Sequence, residues 1–199
     1  MSEVRMNIKD KLKNNNLGKI KNNLKRKEWT EDDLYEFLIG NILNNSKKSI
    51  YDLWYADNYF LEHNHKYIQW MFPTKHKSKY SPKVPYIINE KRFIENKKIK
   101  EGIMTSFNVF LKFLGLAFIN NNSEIGKAPD NSFMTRSVLW LNWSNHNYKR
   151  ITRILECLML FGYEKEAHMF YDCLYDLYKG GYAIDRKSLL YWRKAIGIK

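Results

Sequence analysis

The sequence of 199 residues is of ordinary size for one domain, and an apolar fraction of 44%, with 16% aromatic residues, suffices for a hydrophobic core. The chain contains only 9 Gly and 4 Pro, which argues against a fold of many short strands and turns and favours an all-α fold. The formal net charge of +13 indicates attraction to phosphates or anionic lipid headgroups but does not determine a fold.

Positive charge is concentrated at the amino-terminal end. Residues 1–28 contain nine Lys or Arg and three carboxylates, a charge of +6, whereas the other 171 residues carry +7. Apolar residues recur there loosely at helical spacing, so this basic leader is predicted to be a frayed amphipathic helix or a tail. It is similar to a nuclear-import or nucleic-acid-binding arm, although such runs are usually only solvated.

A domain of about six to eight helices is predicted over residues 29–199. Thr30 followed by Asp33 is typical of a capping box, so the first helix is predicted from Glu31 to Leu43. Four residues at helical spacing form its predicted buried stripe: Leu34, Phe37, Leu38 and Ile42.

The rest of the chain alternates helical patterns with two exposed loops. The central buried helix is predicted where apolar residues recur from Ile103 to Phe118. The other predicted elements are a helix capped by Ser49, the loop Lys75–Pro85, a helix from Asn89 to Lys98, the loop Asn120–Asp130, a helix from Ser132 to Trp140, a helix through Ile151 and Leu158 that stops at Gly162, a helix from Ala167 to Tyr178, and a last helix capped by Asp185.

The stretch His65–Pro73 differs from ordinary helical patterns, because it combines large apolar and aromatic side chains with an amide and a stop signal. Pro73 cannot donate a backbone hydrogen bond and disfavours helical angles at Phe72. One helical turn with a tight exit is therefore predicted. Trp70 and Phe72 are expected to enter the core, and Gln69 is expected to hold the exit loop through its amide.

Two blocks of this sequence resemble a known family. The first is Glu62 and His63 followed by Tyr67-Ile68-Gln69-Trp70-Met71-Phe72-Pro73, and the second is Leu141-Asn142-Trp143 followed by His146-Asn147-Tyr148-Lys149-Arg150-Ile151-Thr152-Arg153-Ile154-Leu155. In order and separation they resemble the signatures of the amino-terminal region of the opioid growth factor receptor family, over about Trp54 to Trp192. The resemblance implies binding of an enkephalin-type peptide and growth control at the nucleus, as described for animal members.

We predict a peptide or protein ligand on the face where the two blocks meet. Trp70 and Trp143 are the predicted apolar anchors, and the amides and guanidinium groups of the blocks are the predicted polar contacts. Aromatic clusters in small helical domains are, however, mostly core. The predicted ligand residues are Tyr67, Gln69, Trp70, Phe72, Asn142, Trp143, Asn147, Arg150 and Arg153.

Nucleic-acid binding through basic side chains is the alternative prediction. Lys149 and Arg153 are expected to point away from the apolar face of their helix, with Arg150 at its border. Contacts to phosphates release counterions, so the affinity would fall steeply with salt. The candidate residues are Lys25, Arg26, Lys149, Arg153, Arg193 and Lys194, with Arg186 and Lys187 nearby in the sequence.

An enzyme of unknown chemistry is the third hypothesis, because no familiar catalytic motif is evident. The one candidate metal cluster consists of Glu62, His63, His65 and His76. Residues two apart on a helix point in different directions, so His63 and His65 would share a metal only if the helix ended between them. No metal and no cofactor is therefore predicted. Either Cys157 or Cys173 could pair with His168, yet both thiols fall in apolar patterns and are predicted to be buried.

The same thiols indicate a reducing compartment. No apolar run follows the amino-terminal charges, and the longest apolar segment, Ile103–Ile119, is interrupted by Asn108 and Lys112. We therefore expect a soluble intracellular protein of the cytoplasm or nucleus, without a transmembrane segment.

Overall fold

The computed structural model describes residues 28–78 and 82–198, so the predictions for Lys25, Arg26 and the leader up to residue 27 lie outside the described residues. The described residues form ten helices and one two-stranded sheet, which confirms the predicted all-α class. The elements are α1 Glu31–Leu38, α2 Ile50–Trp54, α3 Asn58–His63, α4 Ile68–Met71, α5 Glu90–Ile94, α6 Lys97–Leu114, β1 Leu116–Ile119, β2 Glu124–Lys127, α7 Ser132–Trp140, α8 Asn147–Leu160, α9 Glu164–Lys179 and α10 Arg186–Ala195.

These elements group into two compact units. The first unit contains the described residues up to Met71 together with Lys75–Phe93. The second contains Phe72–Thr74 and the chain from Ile94 onward. A single domain over residues 29–199 stays a prediction.

Two capping boxes start helices in the first unit. The sequence predicts the complete box at Thr30 and only the capping residue of the second box, Ser49. Thr30 Oγ1 accepts from the Asp33 amide at 3.3 Å, and the Asp33 carboxylate accepts from the Thr30 amide at 2.9 Å. Ser49, the predicted second cap, makes the same reciprocal bonds with Asp52 at 3.1 and 2.9 Å. Each box satisfies amides that have no partner within the helix, which fixes both helix starts.

The first helix is shorter than predicted, because α1 ends at Leu38 rather than Leu43. Gly40 follows with φ of +82°, and a Cβ at this position would lie 2.6 Å from the ring of Tyr51. A long-range packing contact therefore sets this boundary. The predicted stripe is nevertheless buried up to Ile42, which is 4% exposed.

The segment after Ser49 is divided into the short helices α2, α3 and α4. Asp57 starts α3 by accepting from the Phe60 amide at 2.7 Å. Because this segment forms three separate helices, the described chain has more helices than the predicted six to eight.

The beginnings of α1 and α5 are joined by polar contacts within the first unit. The Glu31 carboxylate accepts from the amides of Ile88 and Asn89 at 2.6 and 2.7 Å. Asp32 pairs with Arg92 beside these bonds. The sequence pattern does not predict either pairing, since the partners lie nearly sixty residues apart.

Helix α6 is the central element of the second unit. Ile103 and Phe107 are fully buried, as the apolar spacing predicts, and so is Ile99, which precedes the predicted run. The helix ends at Leu114, earlier than the predicted Phe118, because Gly115 adopts φ of +75°. A Cβ on Gly115 would lie 2.6 Å from the Phe133 Cα, so the helix end is set by close packing of α7.

A β-hairpin replaces part of the loop predicted at Asn120–Asp130. The strands β1 and β2 pair antiparallel, with Phe118 opposite Ile125. Asn120, Asn121 and Asn122 form the turn with φ of +49°, +56° and +62°. Asparagine tolerates this left-handed conformation, so the Asn run permits a hairpin in so short a segment.

The last helices pack as the sequence predicts in outline. Gly162 adopts φ of +76° and ends the α8 turn before α9, and Asp185 caps α10 by accepting from the Ser188 amide. The Trp192 indole N–H donates to the Tyr148 carbonyl at 3.0 Å. These contacts fix α8 and α10 side by side, and both carry residues discussed below.

Candidate partner-binding site

The first signature block is buried in the first unit. Tyr67 and Gln69 are 1% and 6% exposed. The Tyr67 hydroxyl donates to the Leu61 carbonyl at 3.1 Å, and the Gln69 amide nitrogen donates to Ser78 Oγ at 3.4 Å. The Gln69 Oε1 atom accepts no hydrogen bond from the described residues. These side chains therefore support the fold and present no surface to a ligand.

Trp70 is the centre of an aromatic cluster and is 0% exposed. Its ring lies edge-on to Trp29 at 5.1 Å and to Phe37 at 5.0 Å. Its indole N–H donates to Asn45 Oδ1 at 3.2 Å. The indole thus has both apolar and polar partners inside the protein, as expected of a core tryptophan.

Phe72 and Arg153 are joined within the second unit. The Arg153 Nη1 donates to the Phe72 carbonyl at 3.1 Å, and the Phe72 ring packs against Phe110 at 6.2 Å. Arg153 was predicted to point outward, but its side chain is half-buried, and burial lowers the pKa of its guanidinium. That prediction is wrong because the side chain donates to the backbone carbonyl before Pro73, 81 residues away in the sequence.

Asn147 and Arg150 form a buried polar pair at the start of α8. They are 0% and 4% exposed, and the Arg150 Nη1 donates to Asn147 Oδ1 at 2.8 Å. Arg150 was predicted to border the apolar stripe, but it lies inside the core, where Asn147 compensates part of its desolvation. Both residues therefore position the helix.

A compact turn follows α7 and contains the exposed members of the second block. The Asn142 and Asn145 amide nitrogens both donate to the Leu139 carbonyl, at 3.1 and 2.9 Å. Asn145 also donates to Asn142 Oδ1 at 3.1 Å. Side-chain amides thus satisfy the carbonyl at the end of α7, and they hold the turn in one conformation.

Trp143 lies in this turn and is 72% exposed. Three apolar residues of α7 are exposed as well, namely Met134 at 70%, Val138 at 71% and Leu139 at 45%. Met134 and Val138 are one turn apart and share a helix face. We call Met134, Val138, Leu139 and Trp143 the α7 apolar surface.

The sequence predicts the α7 helix with its correct bounds but not the exposure of its apolar residues. A signal was present, because Phe133 and Trp140 supply a buried face while Met134 and Val138 add a second apolar face. A surface helix normally has one apolar stripe, and a helix that is apolar on both sides needs a second partner. The predicted ligand residues that are exposed are Asn142 and Trp143.

Whether the two signature blocks share one face stays a prediction, because they are divided between the two units. Of the basic residues predicted for nucleic acid, Lys149, Arg193 and Lys194 are exposed. Arg153 is engaged with the Phe72 carbonyl, so it does not belong to an open basic surface.

Both cysteines are free thiols inside the second unit. Burial raises the pKa of Cys157 well above its ordinary value and raises the pKa of Cys173 to about 12. A thiol with a raised pKa is a poor nucleophile at neutral pH, because the thiolate is the reactive form. The two thiols accordingly behave as small apolar core groups.

The described residues contain no group of three or more His, Cys, Asp or Glu that could hold a metal ion. A helix both long and apolar enough to cross a membrane does not occur in the described part of the chain either.

Comparison with known proteins gives a consistent set of matches. The opioid growth factor receptor (OGFr) conserved region matches residues 36–174, a range that starts and ends earlier than the predicted 54–192. Opioid growth factor receptor-like protein 1 of Xenopus tropicalis is 35% identical over 120 residues, which are 59% of this chain and 22% of that protein.

Two relatives are named opioid growth factor receptor. The protein of Mus musculus is 35% identical over 129 residues, which cover 64% of this chain and 19% of the relative. The protein of Homo sapiens is 33% identical over 113 residues, which cover 55% of this chain and 16% of the relative. The chain thus spans about a fifth of the length of these relatives. No solved structure matches it.

Proposed function

We propose a function from the premise that this chain belongs to the opioid growth factor receptor family: it binds a peptide or protein partner without catalysing a reaction. The proposed site is the α7 apolar surface. Both Trp143 and α7 fall within the residues that match the family.

The observation that carries this proposal is the exposure of Trp143, 72%, in a turn held by the Asn142 and Asn145 side chains. An indole in water is unfavourable unless a partner covers it, and tryptophan is among the residues that contribute most to binding when buried at an interface. Because the turn is already ordered, binding would cost little conformational entropy.

The exposed apolar residues of α7, the helix that precedes the Trp143 turn, complete the proposed site. Met134 is flexible and polarizable, so it can adapt to different ligand side chains, while Val138 is stiff and fixes one position. Asn142, which is exposed and adjacent to Trp143 in the sequence, gives the proposed site a polar edge. An apolar centre with a polar edge is the usual anatomy of a protein or peptide interface.

The first block has a supporting role in this proposal. Trp70 and Tyr67 stabilise the first unit from inside, and the Phe72 carbonyl receives Arg153 from α8, the helix that follows the Trp143 turn. We therefore reassign Tyr67, Trp70 and Phe72 from ligand contacts to core positions. Their part in binding would be indirect, through stability.

A peptide ligand is the first choice for a test because the relatives are named as receptors of an opioid growth factor. The raised pKa values of both thiols favour binding over thiol-based catalysis. Free, reduced cysteines also support a reducing, intracellular location as part of the proposal.

The test is a titration of a fluorescein-labelled enkephalin-type peptide with the full chain, followed by fluorescence anisotropy. Trp143→Ala should weaken binding by at least about tenfold, the usual loss for an anchor residue. Tyr59→Ala is the matched control, because Tyr59 is also aromatic and 72% exposed but lies in the first unit. A peptide of the same composition in scrambled order controls for general stickiness.

Equal affinity of Trp143→Ala and wild type would reject this surface as the site. Binding that is equally strong for the scrambled peptide would reject specific recognition of the enkephalin type. Met134→Ser provides a second substitution on the same surface, and it should weaken binding in parallel with Trp143→Ala.

A further inference from the structure

The last two helices carry a second exposed surface, which is aromatic rather than aliphatic. Tyr171 and Tyr175 are stacked with centroids 6.1 Å apart and planes at 10°, and Tyr175 and Tyr178 are stacked at 6.3 Å and 25°. Tyr175 is 42% exposed and Tyr178 is 36% exposed. These three rings form a ladder along one face of α9.

Helix α10 supplies positive charge next to this ladder. It contains no carboxylate between Arg186 and Ala195, while Leu190 and Tyr191 are 58% and 52% exposed. Four cationic side chains of the helix are exposed: Arg186, Lys187, Arg193 and Lys194.

The ladder and the cations belong to one region of the second unit. Helices α9 and α10 pack against each other. Burial raises the pKa of Tyr171, and the nearby positive charge of Arg193 on α10 partly opposes this increase. Two of the four carboxylates of α9, Asp172 and Asp176, lie within the ladder segment of the sequence, and Asp176 is paired with Lys179 at 2.8 Å. Asp172, the residue next to Tyr171, is the α9 carboxylate that we expect to oppose a bound phosphate.

We propose that this surface binds single-stranded nucleic acid, with phosphates along α10 and bases stacked on the tyrosines of α9 and on Tyr191. The surface combines exposed aromatic rings with a row of cations, which is the combination that single strands require. Unstacked bases can reach the rings, whereas bases in a duplex are already stacked on each other. This surface shares no residue with the α7 apolar surface, and its residues from Tyr175 onward lie outside the family match.

Charge and ring geometry favour this ligand over the other classes. A protein ligand for an apolar face would meet four cations on α10, which must be desolvated or paired. A membrane surface would favour more aliphatic groups, but this region is dominated by phenol rings. The net charge of +13 for the chain further raises the encounter rate with a polyanion.

The test uses the full chain and a labelled oligothymidylate of about twelve nucleotides, within the site sizes found for single-strand binding surfaces. Affinity is measured across a range of salt concentrations. The double substitution Arg193→Ala and Lys194→Ala should reduce the slope of log affinity against log salt by about 1.4, or about 0.7 for each lost phosphate contact. Lys97→Ala with Lys98→Ala, a pair of adjacent exposed lysines on α6, is the charge control and should leave the slope nearly unchanged.

The tyrosines are tested by affinity at fixed salt. Tyr191→Ala and Tyr175→Ala should each weaken binding by about fivefold or more, while Tyr191→Phe should retain it because the ring remains. Neither tyrosine change should alter the salt slope. Asp172→Asn should strengthen binding, since it removes the opposing charge, and Tyr59→Ala should have no effect.

Several outcomes would overturn the proposal. The chain could bind a duplex of the same length with equal affinity, and the tyrosine substitutions could leave the affinity unchanged. Together these results would show only general attraction to phosphate. Binding to phosphatidylserine vesicles without affinity for the single strand would assign the surface to a membrane. An Asp172→Asn variant with weaker binding would place the strand elsewhere.

Discussion

Trp70 and Trp143, one from each signature block, should respond differently to substitution by alanine. Trp70→Ala removes a ring that is 0% exposed and lies edge-on to Trp29 and Phe37, whereas Trp143→Ala removes a ring that is 72% exposed. The first change should therefore act on stability and the second on binding alone.

The magnitude for Trp70 follows from its contacts. Replacing a buried Trp by Ala usually costs about 3–5 kcal/mol through lost transfer free energy and a residual cavity. Two aromatic contacts and the hydrogen bond to Asn45 place Trp70 in the upper half of this range, about 4–5 kcal/mol. Such a loss is a large part of the roughly 5–15 kcal/mol by which a typical domain is stable, so the variant should unfold at a much lower urea concentration than wild type.

The magnitude for Trp143 is small. Substitutions at exposed positions without special contacts usually change stability by less than about 0.5 kcal/mol. The turn itself is held by the Asn142 and Asn145 side chains, and those bonds do not involve the indole. Trp143→Ala should therefore unfold at nearly the same urea concentration as wild type.

The assay is urea unfolding followed by far-ultraviolet circular dichroism, which does not depend on tryptophan emission. Trp70→Phe is the intermediate control, because it keeps a ring but loses the indole N–H. A cost below about 1 kcal/mol for Trp70→Ala, or above about 2 kcal/mol for Trp143→Ala, would refute the assignment of one ring to the core and the other to the surface.

Three further predictions concern polar and ionisable groups. Arg153→Met should lower the free energy of unfolding by about 1–3 kcal/mol in urea, since the Phe72 carbonyl loses a charged donor, and an unchanged midpoint would contradict this. Glu31→Ala should lower the free energy of unfolding by about 1–2 kcal/mol, because two backbone amides lose their acceptor. Glu101→Ala is the control: its side chain is 66% exposed and forms an ion pair at 3.8 Å, so the loss should be under about 0.5 kcal/mol. Equal losses for the two variants would argue against the Glu31 contacts. Burial raises the pKa of Cys157 and Cys173, so above the ordinary pKa of 9.0 the folded protein keeps both thiol protons while the unfolded chain loses them. The thermal midpoint should therefore fall as pH rises from about 9. The double substitution Cys157→Ala and Cys173→Ala should make this pH dependence weaker, and an unchanged pH dependence would show that other groups cause it.

Local patterns predicted the elements of this fold that depend on neighbours in sequence. The reciprocal bonds of Thr30 with Asp33 involve residues three apart, and the buried stripe of α6 follows from one helical period. The bounds of α7 were predicted for the same reason. These features require no knowledge of distant segments.

Features that depend on distant segments were not predicted. Gly40 ends α1 because of the Tyr51 ring, and Gly115 ends α6 because of the Phe133 backbone. Arg153 was predicted to point outward because helical spacing alone does not reveal its hydrogen-bond acceptor, the distant Phe72 carbonyl.

The candidate site was predicted only in part, and for a related reason. The residue pattern identified the two signature blocks, but it cannot distinguish a buried aromatic residue from an exposed one. Trp70 and Trp143 have the same side chain and occupy similar motifs, yet their exposures are 0% and 72%. Only the packing of the rest of the chain separates a core position from a binding position.

The most direct test of the proposed function is the indole N–H signal of Trp143 in a nuclear magnetic resonance titration. The signal is assigned by its loss in Trp143→Phe and followed while an unlabelled enkephalin-type peptide is added. A saturable shift of the Trp143 signal, with the buried Trp70 signal unchanged, is the expected result. A titration that leaves the Trp143 signal in place, while the peptide binds, would contradict the α7 apolar surface as the site.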